Sequence, residues 1–151
     1  MPNTKPVGVA FSDPELVSGT TITGATISGG TISGATSVSA SDITTTGGLY
    51  LKTATVAATG STQADAASVS DGFTLVSAAD ATKGVKLPAA VAGRTVILKN
   101  GANAVLKVWP ASGDAINAIA ADSNYVLAAY TSSLLVAYDS TTWYSVPLLA
   151  S

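Results

Sequence analysis

Carboxylates are the first groups in this chain that could do chemistry. Asp65, Asp71, Asp80, Asp114, Asp122 and Asp139 are spread along its C-terminal part, and Glu15 is the sole glutamate. Each of these aspartates lies in or beside a segment with turn chemistry, where Asp is favoured because its side chain bonds the local backbone. A hydrolytic pair would need two carboxylates facing one cleft, and their spacing marks no such pair. Histidine and cysteine are absent, which removes imidazole catalysis, thiol chemistry, disulfides and Cys/His zinc sites. The alternating Asp-x-Asp-x-Asp-Gly spacing of a calcium loop is missing, and Asp71-Gly72 reads as an ordinary turn. The Gly-rich stretch near the N-terminus is followed neither by Lys-Ser/Thr nor by a helical pattern, so it is not a phosphate loop. These residues predict a protein that is not an enzyme and holds no cofactor and no metal.

Aromatic rings are the next candidates. Trp109, Tyr125, Tyr130, Tyr138, Trp143 and Tyr144 all fall late in the chain, and Tyr50 is the one Tyr or Trp before them. Exposed rings stack on sugars, which makes Trp109, Trp143 and Tyr144 candidate ligand-stacking residues for a host surface glycan. The competing and favoured reading makes these rings the bulky members of a small core, their polar tips reaching the surface.

The elements that would carry these groups are β-structure. The chain has 151 residues, of which 47% are apolar and 11% charged, and Ser plus Thr make up about a quarter. Mean hydropathy is +0.42. Small, β-branched and hydroxyl residues suit a thin pleated fold better than a helical core. A net charge of −2 gives no electrostatic basis for nucleic-acid binding. No window reaches the roughly 18 apolar residues of a membrane helix, and no apolar stretch after Met1-Pro-Asn-Thr-Lys-Pro reads as a signal peptide. The expectation is synthesis and use without secretion.

Three stretches differ in character. Residues 1–18 carry Pro2, Pro6 and Pro14 and predict an extended arm, in which Val7, Val9, Phe11 and Leu16 are apolar. Residues 19–41 form a repeat stalk: Gly recurs at 19, 24, 29 and 34, and Ile22, Ile27 and Ile32 follow three places after the first three. A period of five is neither that of a strand nor that of a helix. One copy cannot bury these isoleucines, whereas intertwined copies can; the other reading is a flexible Gly/Ser/Thr linker.

Residues 42–151 predict an all-β domain, a small antiparallel sandwich or barrel. Its expected strands are Leu49–Val56, Phe73–Ser77, Thr95–Lys99, Ala104–Trp109, Tyr125–Tyr130, Ser133–Tyr138 and Thr142–Val146. Asn100-Gly101 predicts one hairpin and Asp139-Ser140-Thr141 a second, with Pro88 and Pro110 ending runs. Ala64–Ser68 and Ala115–Ala121 are the helix-tolerant pieces.

The run Gly93-Arg-Thr-Val-Ile-Leu-Lys-Asn-Gly101-Ala-Asn-Ala-Val-Leu-Lys-Val-Trp-Pro110-Ala-Ser-Gly-Asp-Ala-Ile-Asn117 resembles the capsid decoration (cement) and head-fibre proteins of tailed bacteriophages. Leu134–Tyr144 is similar to their closing segments, and the Gly-x-Thr-Ile-Ser pentads resemble the stalk repeats of phage fibres. The resemblance spans residues 19–146. It implies a homotrimer on the capsid outer surface, made in the host cytoplasm, whose partners are the major capsid protein and itself, with no catalytic residues and no role for nucleic acid or membrane. In that setting Val7, Val9, Phe11 and Leu16 would bind the capsid, and Ile22, Ile27 and Ile32 would line the trimer interface. The alternative is a short fibre or receptor-binding module that meets host polysaccharide through the C-terminal aromatics. Replacing Ile22, Ile27 and Ile32 together by Ser is expected to weaken the trimer. An unchanged mass by light scattering would instead return the pentads to a linker.

Overall fold

A computed structural model of the chain describes residues 44–148, and the second of the chain's two units begins at Thr45. The arm and the pentad repeats, with Val7, Val9, Phe11, Leu16, Ile22, Ile27 and Ile32, lie outside the described residues.

The described residues are all β and turn. Ten strands follow in chain order: β1 Thr53–Ala57, β2 Ala67–Ser68, β3 Gly72–Ser77, β4 Gly84–Lys86, β5 Thr95–Asn100, β6 Leu106–Trp109, β7 Ala115–Ile116, β8 Tyr125–Leu127, β9 Ser132–Ala137 and β10 Thr142–Leu148. They form two sheets, a large one ordered β1-β3-β5-β9-β10-β7 and a small one ordered β2-β4-β6-β8. From β1 to β6 the chain alternates between the sheets, and each strand pairs parallel with the one two before it. The result is three stacked rungs of a two-faced coil. Thr53 faces Phe73 and Phe73 faces Ile97 in the large sheet, while Ala67 faces Val85 and Val85 faces Val108 in the small one.

This corrects the expectation of a simple antiparallel sandwich or barrel. The reversal comes after Trp109: β8 runs antiparallel to β6, β9 antiparallel to β5, and β10 returns along β9. The strand β7 then pairs parallel with the start of β10 at the far edge. The core lies between the sheets and is built from Val76, Val85, Val96, Leu98, Leu106, Val108, Ile116, Leu135 and Trp143, all fully buried.

Asn100-Gly101 is not a hairpin. It is the corner at which the third rung crosses from the large sheet to the small one, because β5 and β6 belong to different sheets. The Asn100 side chain is fully buried. Its amide nitrogen donates to the carbonyls of Ala104 at 2.7 Å, Ala128 at 3.0 Å and Leu127 at 3.3 Å, and its oxygen accepts from the Ala102 N–H at 3.1 Å. One side chain thus serves a buried corner whose carbonyls no strand can satisfy. Gly101 N–H donates back to Val76 of the rung before at 2.8 Å. The Asp139 turn is the hairpin expected of it: the Asp139 carboxylate accepts from the Thr141 and Thr142 N–H groups at 2.8 and 2.7 Å between β9 and β10.

The two helix-tolerant pieces hold β2 and β7, strands of two residues each. Gly72 shows why the corner between β2 and β3 needs glycine. Its φ is +94°, and a Cβ there would lie 2.3 Å from the Lys52 carbonyl oxygen. Pro147 sits inside β10 without harm, because β7 covers that strand at Thr142 and Trp143 and leaves the Pro147 side free.

Replacing Asn100 by Ala strands several buried carbonyls. Leaving a buried polar group unpaired costs about 1–3 kcal/mol, so Asn100→Ala is expected to lower unfolding free energy by about 2–4 kcal/mol in a denaturant titration. Asn100→Asp, an isostere that cannot donate when ionised, is expected to cost at least as much at neutral pH. A loss below ~0.5 kcal/mol for both variants would contradict the corner's role.

Candidate interaction surface

The aspartates hold turns. Asp65 accepts from the Thr62 N–H and hydroxyl, both at 2.7 Å, and Asp80 accepts from the N–H groups of Thr82 and Lys83, both at 3.1 Å. Asp122 takes the Gln63 amide at 2.9 Å and the Gly113 N–H at 2.8 Å, tying the first corner to the turn after β6. Asp114 accepts from the Ala90 N–H at 2.8 Å, and Asp71 pairs with Arg94 at 3.2 Å. Among the described residues no three of His, Cys, Asp and Glu gather as a metal site, and no helix is long and apolar enough to cross a membrane.

The segment Pro110–Asn117 is a staple made of the same kind of contact. The Pro110 carbonyl accepts from Gln63, Gly113 takes φ +86°, Asp114 reaches Ala90, and Ile116 fills the core. Asn117, at φ 56°, exchanges two hydrogen bonds with Ser145, at 2.8 and 2.9 Å.

The three candidate stacking rings are placed apart. Trp143 is fully buried and is the largest core side chain, so it offers no ring face to a ligand. Trp109 is half-buried on the small sheet, where a Cβ on Gly84 would lie 2.9 Å from its indole nitrogen. Tyr144 is half-exposed on the large sheet and meets Tyr138 edge-on, with ring centroids 5.8 Å apart. No groove collects these three rings.

What the structure does collect is the outward face of the large sheet. Alternation along each strand sends Val76, Val96, Leu98 and Leu135 inward and their neighbours outward. Register then lines those neighbours up. One row runs Thr53, Phe73, Ile97, Leu134, Val146, and the next runs Thr55, Leu75, Lys99, Ser132, Leu148. A third joins Thr95, Val136 and Tyr144. Leu75, Val146 and Leu148 are 37%, 49% and 41% exposed. No carboxylate stands on these rows, and the single cation, Lys99, donates to the Tyr130 carbonyl. The small sheet differs, with Lys86 and Lys107 at its outward positions.

The sequence carries a signal for this face that alternation alone does not reveal. Val96-Ile97-Leu98 and Leu134-Leu135-Val136-Ala137 are continuous apolar runs, not alternating ones. Continuous runs mark strands that are covered on both sides.

No protein family, no curated protein and no solved structure matches this chain.

Hydrogen bonds lower the pKa of four surface aspartates: the Thr62 hydroxyl acts on Asp65, the Thr82 hydroxyl and Lys83 on Asp80, the Gln63 amide on Asp122, and the Thr141 N–H on Asp139. Each therefore favours the fold in its charged form. That contribution is present above the ordinary carboxylate value near 4 and is lost as pH falls through the lower folded values. With no histidine to titrate, the melting temperature is expected to stay level from about pH 8 to 5 and to fall below about pH 4. A decline setting in between pH 8 and 5 would contradict this.

Proposed function

We propose that this chain is a virion structural protein that decorates and stabilises the outside of a tailed-bacteriophage capsid. It binds as a homotrimer across neighbouring major capsid protein subunits. The observation that carries this reading is the outward face of the large sheet, whose rows of apolar side chains hold no carboxylate, on a unit whose aspartates are bonded to turns, to neighbouring rungs or to Arg94. Such a unit is made to be packed against protein. Apolar faces of this kind mark interaction sites on soluble chains.

The resemblance of Gly93–Asn117 and of the pentads to decoration and head-fibre proteins supplies the kind of partner. In this reading Val7, Val9, Phe11 and Leu16 of the arm engage the shell, and Ile22, Ile27 and Ile32 meet around the trimer axis. Low charge fits a contact built on shape and main-chain pairing. The mechanism is mass action: a protein that binds across subunit boundaries recognises the assembled lattice alone and stabilises it by the free energy of binding.

A second reading is favoured by one observation. Tyr138 is 72% exposed beside Tyr144, a ring pair of the kind that stacks on sugars, and it suits a fibre module that binds host polysaccharide.

Co-sedimentation separates the two. Saturable binding of the purified protein to empty expanded capsids, lost on deleting residues 1–18, is the outcome expected of decoration. Binding to host envelope fractions and not to capsids would overturn it, and loss of that binding in Tyr138→Ala would assign the site to the tyrosine pair.

A further inference from the structure

We propose that the outward face of the large sheet is the interface between copies of this chain. The proposal rests on the chemistry of the sheet and not on the virion reading. The rows Phe73, Ile97, Leu134, Val146 and Leu75, Lys99, Ser132, Leu148 cross four hydrogen-bonded strands without a break.

Charge selects the occupant. An interface core tolerates few unpaired charges, and this face offers one lysine, already bonded to the Tyr130 carbonyl. It offers a basic partner no carboxylate and an acidic one a single lysine that is already bonded, whereas the same face on another copy brings apolar rows that match its own. Solubility points to the same occupant. The chain has a net charge of −2, at the low end of what keeps a small domain soluble, so covering a contiguous apolar face lowers its tendency to associate at random. Another copy is the partner always made beside it.

Strands about 4.8 Å apart and about 20 Å long give β3, β5, β9 and β10 together a face of roughly 400 Å² in projection, about half of the ~800 Å² that each partner buries in a standard interface. Three copies also close geometrically. A triangle whose sides are four strands wide has its centre about 5–6 Å from each sheet, close to half of the ~10 Å between packed sheets. Side chains on these rows would fill it.

The chain has no cysteine, so a single introduced thiol reports on its own position. In the full-length protein, Val146→Cys on the large sheet would be compared with Val126→Cys on the small sheet. Both valines are about half-exposed, at 49% and 52%. Small-maleimide labelling at micromolar protein is expected to be at least tenfold slower at position 146 than at 126, with equal rates in denaturant. Light scattering should give a multiple of 14.8 kDa, and Leu134→Lys should reduce that mass to one chain while circular dichroism stays β. Equal labelling rates in the folded protein would overturn the proposal. So would protection at 146 in a species of single-chain mass, since the chain's own residues would then be the cover. A folded Leu134→Lys protein that keeps the wild-type mass would overturn it as well.

Discussion

Three parallel rungs end in two rows of unpaired N–H and C=O groups, one along β5 and one along β6, and the chain after Trp109 is devoted to satisfying them. An exposed edge of this kind is a template for another chain. Here β8 covers β6 and β9 covers β5, both in the reverse direction, and β10 then extends the large sheet beyond β9. The closure fixes everything else. It requires the crossing at Asn100, whose amide reaches the carbonyls of Leu127 and Ala128 in the covering segment. It also requires Trp143 to enter the core from β10, and the Asp114 and Asp122 contacts that tie the turn after β6 to earlier rungs.

The closure also decides where the apolar surface goes. With β9 and β10 added on the side of β5, the large sheet becomes broad and its outward rows become continuous. The same residues in an open coil would be a scatter of exposed valines and leucines. Assembled, they form one face without a carboxylate, and contiguous apolar faces mark interaction sites on soluble chains. The charged groups divide the other way: the lysines on sheet faces other than Lys99 belong to the small sheet, and the aspartates sit at the corners.

Much of the strand content was legible. β3, β5, β6, β9 and β10 fall where runs of Val, Ile, Leu and Thr between turn residues put them, because those strands are long enough to show a pattern. β2, β4 and β7 have two or three residues, too few for any periodicity, and Ala-rich sequence at β2 and β7 reads as readily as helix. The parallel order was hidden by Asn100-Gly101, which in an antiparallel fold would make a hairpin and here turns a corner. A trace of the coil is present in Leu87-Pro-Ala and Trp109-Pro-Ala, which end the small-sheet strands of successive rungs. The Leu87 N–H donates to the Trp109 carbonyl across that step. The aromatic candidates divided for a physical reason: in an Ala- and Val-rich core one large ring, Trp143, fills the volume, and Tyr144, its neighbour in sequence, must point the other way.

Sedimentation equilibrium of the full-length protein tests the account most directly, because it reads whether other copies of the chain cover the apolar outward rows of the large sheet. The account predicts one species at a fixed multiple of 14.8 kDa, three chains in the proposed assembly, unchanged on dilution through the micromolar range. A soluble, folded monomer over that range would contradict it.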